Sequence, residues 1–152
     1  MIDSRLTDLP IDPTDELSRF MAKLADEGAV VSFAGIARPR TRDGVDVEKM
    51  FLDHHPRLTQ RSIDDIVQAA SRRFAVSAIT AVHRFGAVSP GETIVFVAAA
   101  SLHRRAAFEA ADYVMDRLKT DAIFWKREDS VDGPRWIEPT DADRAERARW
   151  SE

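Results

Sequence analysis

Apolar residues recur along this chain with two different periods, and the switches between them mark its elements. Leu17, Phe20, Met21 and Leu24 stand at helical spacing behind Asp12-Pro13-Thr14-Asp15. There a capping carboxylate is followed by a proline suited to the first helical position and an acid in the first turn. A helix is predicted, ending by Gly28. Gly28 to Ala37 is rich in β-branched and small apolar residues, the pattern of a strand buried on both faces. Val45 to Asp53 alternates as a second strand, and the short connection predicts that it pairs antiparallel with the first. After a break at Asp53-His54-His55-Pro56, Thr59 is placed to cap a helix reaching about Phe74, with Ile63, Ile66, Val67 and Ala70 on one stripe.

Val76 to Phe85 and Glu92 to Ala100 read as strands joined by the turn-rich stretch Gly86 to Gly91, a hairpin connection. Ser101 is positioned to cap a long helix running to about Leu118 and packed through Ala107, Phe108, Ala111, Val114, Met115 and Leu118. Ile123 to Glu128 and Arg135 to Glu138 flank a second turn, Asp129 to Pro134, and Thr140 to Trp150 suits a short terminal helix. The whole is an α+β chain, one domain over residues 1–152, with antiparallel strands, three main helices and a small C-terminal β-hairpin subdomain. No apolar run approaches the roughly 20 residues of a membrane-spanning helix. The first ten residues lack the basic start and apolar stretch of a secretory signal, so the expected location is cytoplasmic, with no membrane partner.

Charge narrows the chemistry. A net charge of -4 opposes nucleic acid as a partner, because that binding depends on phosphate neutralisation over an extended basic surface. Any anion site must be local. The chain has no cysteine, which removes disulfides, thiolate metal sites and any sulfur nucleophile of its own.

Three clusters of cations qualify as candidates. Ser101-Leu102-His103-Arg104-Arg105 places up to three cations in the first turn of a helix, where the macrodipole disfavours each by roughly 0.3–1 kcal/mol. A bound anion would compensate, and solvent or Glu109 one turn on from Arg105 would serve equally. Lys119 and Lys126 bracket the helix end and the following strand, the second beside Phe124 and Trp125. Apolar surroundings and neighbouring cations would lower a lysine's pKa and make it a usable acid, base or nucleophile, whereas free in water each is an ordinary surface cation. Arg38, Arg40 and Arg42 line a loop able to cradle a phosphate, or simply to be solvated.

His54 and His55 are neighbours on an extended chain and point to opposite sides, with no third ligand at a recognisable spacing, so no metal is expected. His83, inside a strand, reads as a structural histidine. Trp125, Trp136 and Trp150 read as core or interface anchors. Neither a glycine-rich phosphate loop nor a G-x-S-x-G elbow is present.

Taken in order, Phe33 to Arg38, Asp53 to Pro56, His83 to Gly86, Pro90 to Val97, Ser101 to Arg104, Ala107 to Glu109 and Leu118 to Glu128 resemble the large, catalytic subunits of molybdopterin synthases, the MoaE family. The resemblance runs from about Gly28 to Glu138. Its most specific part is Lys119, separated by six residues from Lys126 within Phe124-Trp125-Lys126-Arg127-Glu128, combined with His103-Arg104. It implies an α/β-hammerhead-like fold and a sulfur transferase that converts cyclic pyranopterin monophosphate to molybdopterin. The sulfur would come from the C-terminal glycine thiocarboxylate of a small ubiquitin-like subunit, and a homodimer of large subunits would form the centre of a heterotetramer.

By matched position, Lys119 and Lys126 would be catalytic, while Arg38, His103 and Arg104 would bind the pterin phosphate, Arg104 acting across a subunit interface. No resident cofactor is implied. Two departures stand out. Pro39-Arg40-Thr41-Arg42 replaces the usual polar loop, and Pro139-Thr140 stands where some relatives carry a further basic residue; one anion contact is then either missing or replaced by Arg40 or Arg42. The competing reading is a non-catalytic module that binds a ubiquitin-like C-terminal tail.

Overall fold

A computed structural model describes residues 1–151, and the alternation of the sequence is realised there as two four-stranded sheets with helices on the first. The elements are β1 (Ile2–Thr7), α1 (Pro13–Ala22), β2 (Ala29–Ile36), β3 (Val47–His54), α2 (Pro56–Arg73), β4 (Ala78–Arg84), β5 (Gly86–Val88), β6 (Thr93–Ser101), α3 (Arg104–Thr120), β7 (Phe124–Ser130), β8 (Gly133–Ile137) and α4 (Asp141–Ala148). The first sheet has the order β1-β4-β6-β2, parallel between β1 and β4 and antiparallel elsewhere. The second, β5-β3-β7-β8, is antiparallel throughout.

The core of the first sheet is two-sided. Ile79, Ala81, Val97 and Ala99 project onto one face, where Ile63, Ile66 and Val67 of α2 and Val114 and Leu118 of α3 cover them. Their neighbours Val82, Phe96 and Ala98 project onto the other face and meet Phe20 of α1. Each buried Val, Ile, Leu or Phe among them contributes roughly 1.5–3 kcal/mol relative to leaving it in water, and each alanine less. A third apolar cluster, Ala37, Met50, Leu52 and Val88, joins the end of β2 to the second sheet.

Several expectations change. The β2 strand is an edge strand and not buried on both faces; Phe33 and Ile36 are 43% and 49% exposed. It does not pair with β3. Val47 N–H donates to the Pro39 carbonyl (2.8 Å) and Thr41 N–H to the Val45 carbonyl (2.7 Å), a tight reversal with Gly44 at φ 84° that carries the chain into the other sheet. The stretch after Phe85 is more than a connector, since Gly86–Val88 pairs with Met50–Leu52 as β5.

Two expected caps also move. His55 caps α2, its Nδ1 accepting from Leu58 N–H (3.1 Å), and the Thr59 hydroxyl donates instead to the Ile123 carbonyl (2.6 Å). Ser101 ends β6 with its hydroxyl bonded to the His103 carbonyl, and His103 occupies the N-cap of α3 without a capping side-chain bond. Helix α1 ends at Ala22 instead of Gly28. Phe108, expected inside, is 58% exposed.

Candidate functional site

Four elements converge on Lys126. It lies two residues into β7, opposite Leu52 of β3 and Ile137 of β8, so its stem rests on apolar ground. Along β7, Phe124, Lys126 and Glu128 share one face, with successive alternate residues about 6.8 Å apart. The turn feeding β7 is pinned by α2, because Ser62 Oγ accepts from Ile123 N–H (3.1 Å) while Thr59 holds the Ile123 carbonyl.

Lys119 enters from the last turn of α3. This helix reverses direction after β6 and packs along β6 and β2, so its C-terminus reaches the end of β2. There Arg38 emerges from a fixed root. Ala37 is buried, its N–H donates to the Glu92 carbonyl (2.8 Å), and its carbonyl accepts from Gly91 N–H (2.8 Å). The fourth contribution is Asp143 at the start of α4. Thr140 N–H donates to the Asp143 carboxylate (2.9 Å) and Asp143 N–H to the Thr140 hydroxyl (3.1 Å), a reciprocal capping box.

Helix α4 is held against α3 by charge. Asp121, which caps α3, accepts from Arg117 Nε (2.7 Å) and from Arg147 Nε of α4 (3.0 Å). Arg149 bridges Asp112 and Asp116 at 3.1 and 2.9 Å, and Trp150 packs edge-on against Phe74 and Tyr113.

The electrostatics follow from this packing. Burial pushes the Lys126 ammonium below the ordinary lysine range; Lys119 and Arg38 push it the same way, and Glu128 and Asp143 partly offset them. Asp143 moves down. Burial works against that direction, but its bonds to Thr140 and the charges of both lysines prevail. A desolvated lysine beside two other cations, with two carboxylates against three positive charges, has the electrostatics to receive an anionic group.

The other cations are placed differently. His103, Arg104 and Arg105 are exposed at the opposite end of α3. Lys119 stands fifteen positions beyond Arg104, which at about 1.5 Å per residue is a separation of about 22 Å along the axis. Arg105 approaches Glu109 at 3.9 Å on the surface, and with Arg104 and Phe108 these two line a shallow depression. Arg40 is turned to Asp46 (3.4 Å), an exposed pair across the reversal after β2. Thus the chain brings together Arg38, Lys119 and Lys126, and does not bring His103, Arg104 or Arg40 to them.

Asp143, Glu128 and His83 join the lysine cluster without having been singled out for it. The His54 ring stacks on Phe85 (centroids 4.0 Å apart) and His55 is spent on its cap. Trp125 and Trp136 are 52% and 56% exposed on the outer face of the second sheet, where Arg127 lies over the Trp136 ring, so neither is a core residue.

Fold and site together define a cysteine-free α+β protein with a desolvated lysine beside two further cations. The chain belongs to the MoaE protein family, whose model matches residues 6–121. It is 47% identical to the molybdopterin synthase catalytic subunit of Caulobacter vibrioides over 97% of this chain and 96% of that one. Against the same-named protein of Pseudomonas aeruginosa the identity is 44%, over 97% and 98%. Among solved structures, the molybdopterin biosynthesis MoaE protein from Burkholderia ambifaria superposes with a TM-score of 0.83 at 36% identity, covering 100% of this chain and 99% of that one.

Proposed function

We propose that this chain is the catalytic subunit of a molybdopterin synthase, transferring sulfur from the C-terminal thiocarboxylate of a small ubiquitin-like partner to cyclic pyranopterin monophosphate. The observation that carries this reading is Lys126 on apolar ground between Leu52 and Ile137, with Lys119 and Arg38 as its cationic neighbours. Such a pocket attracts a negatively charged tail and offers charge where charge develops as sulfur adds to the pterin and the acyl group leaves. Lys119 and Lys126 are the catalytic pair and Arg38 the phosphate contact of the same chain. No group within the chain supplies sulfur, which fits a donor carried by the partner. The cytoplasm, where thiols and thiocarboxylates stay reduced, is the compartment we assign.

His103 and Arg104 complete the site from a second copy of the chain. Two features support this: the roughly 22 Å that separates them from Lys119 within one chain, and the apolar surface around them. Leu102 and Phe108 are 66% and 58% exposed, and β2 leaves its outer edge unpaired. Arg40, paired with Asp46, lies at the rim. The test is reconstitution with thiocarboxylated partner and cyclic pterin, reading molybdopterin formed. Lys119→Ala and Lys126→Ala should each lose at least about a hundredfold in turnover while still folding cooperatively and binding the partner. Unchanged turnover in both would refute the assignment, and partner binding without product from the wild-type chain would identify a non-catalytic tail-binding module.

A further inference from the structure

His83 is held in a way that an ordinary buried histidine does not require. On β4 its ring stacks on Phe124, centroids 4.1 Å apart and planes inclined by 24°. Its Nδ1 is 2.8 Å from the Arg84 carbonyl. A carbonyl only accepts, so Nδ1 carries the proton and Nε2 presents a lone pair. Nε2 has no hydrogen-bond partner among the described residues, and it is not sealed from solvent. The ring is only partly hidden by area. It is nevertheless surrounded closely enough that loss of hydration lowers its pKa to about 4, against the Arg84 carbonyl, which raises it, and together with the charge of Lys126. The imidazole is therefore neutral at neutral pH. Phe124 and Lys126 occupy the same face of β7 one pleat apart, about 6.8 Å, so a ring seated on Phe124 lies next to the lysine.

We infer that His83 is a positioning residue for Lys126: the Arg84 carbonyl fixes its tautomer, Phe124 fixes its ring, and its Nε2, which takes no hydrogen bond among the described residues, is the acceptor that Lys126 Nζ engages as it turns toward the incoming anion. This rests on the reading of Lys126 as catalytic. A neutral acceptor is what the location calls for. A further carboxylate there, added to Glu128 and Asp143, would neutralise the cation cluster and compete with the substrate, whereas an imidazole lone pair accepts one N–H and leaves the charge available.

The groups facing Lys126 are Lys119 from α3, Arg38 beyond β2, Asp143 from α4, Glu128 on its own strand and His83 from β4. Removing only the last should lower the Lys126 titration midpoint, because the charged form loses an acceptor. His83→Phe keeps a ring on Phe124 and deletes the acceptor; His83→Gln places an amide oxygen near the position of Nε2. Two measurements separate the outcomes: titration of the Lys126 side-chain resonance in selectively labelled lysine protein, assigned with Lys126→Ala, and steady-state turnover in the reconstituted complex.

His83→Phe should lower the midpoint by about one pH unit and kcat about tenfold, with KM for the pterin within twofold. His83→Gln should recover most of both. An unmoved resonance and unchanged kcat in folded His83→Phe or His83→Gln protein would overturn the inference. If Lys126→Ala turns over normally while His83→Phe still moves the resonance, the catalytic reading of Lys126 fails and the positioning contact stands.

Discussion

If the site is shared between two copies, two dead variants should restore one another. Lys119→Ala removes a lysine at the C-terminal end of α3 and Arg104→Ala an arginine at its N-terminal end, about 22 Å away along a rigid helix. That distance exceeds the reach of both side chains together, so one chain cannot bring the two groups onto one substrate phosphate and thiocarboxylate. In a two-fold symmetric dimer each site would take Lys119 from one copy and Arg104 from the other. Random assembly of the two variants at equal amounts makes half of the dimers mixed. In a mixed dimer one site inherits both intact residues and the other neither. About a quarter of wild-type sites should therefore reappear in the co-refolded mixture, and none when the separately folded proteins are mixed too briefly to exchange. The assay is molybdopterin formation with saturating thiocarboxylated partner, with the chain's oligomeric state followed in parallel. A co-refolded mixture that forms mixed dimers yet shows no more activity than the two variants assayed apart would refute the shared site.

Other outcomes follow from the same contacts. Burial lowers the Lys126 pKa, so the folded state binds fewer protons there than the unfolded one, and stability rises with pH toward the ordinary lysine value of 10.5. Lys126→Met should raise the melting temperature at pH 7, with a smaller gain at pH 10.5, while abolishing turnover; a lower melting temperature at pH 7 would contradict the desolvated lysine. Burial works to raise the Asp121 pKa, but bonds from Arg117, Arg147 and Thr120 bring it below the ordinary 3.8. Its contribution is therefore complete above that value and fades as pH falls through the folded one. Asp121→Asn should cost about 1–2 kcal/mol at neutral pH after solvent screening, shrinking in acid, and should free α4 as read by amide exchange. At Gly28 an added Cβ would lie 2.5 Å from the Leu102 carbonyl oxygen, so Gly28→Ala must shift the turn that carries His103 and Arg104. A loss of about 1–3 kcal/mol in chemical denaturation is expected there, with a larger drop in activity than in partner binding.

Local signals carried well where the determinant lies within one element. The Asp12-Pro13 start of α1, the apolar stripe of α2, the body of α3 and the β7–β8 hairpin all form from residues near one another in sequence. The misses share one cause, which is that a distant partner claimed a group that local rules had assigned. Thr59 would cap α2, but the Ile123 carbonyl takes its hydroxyl. Ser101 would cap α3, but it closes β6 onto the His103 carbonyl. Strand β1 has few apolar residues, and its parallel pairing with β4 depends on residues more than seventy positions away. The run from Gly28 to Ala37 looks doubly buried because its apolar content matches that of a central strand, yet β6 covers only one edge of β2 and leaves Phe33 and Ile36 open.

The candidate site divides along the same line. Lys119 and Lys126 are legible because the six residues between them span a helix end, a pinned turn and two strand positions. Asp143 and His83 reach Lys126 only through the docking of α4 and the stacking on Phe124, which no spacing encodes. The separation of Arg104 from Lys119 is the instructive exception. A continuous helical pattern from the first to the second already implies about 22 Å between them. If the two act in one active site, that separation is too long for both side chains to meet on a common group within one chain, which is the argument for a second copy.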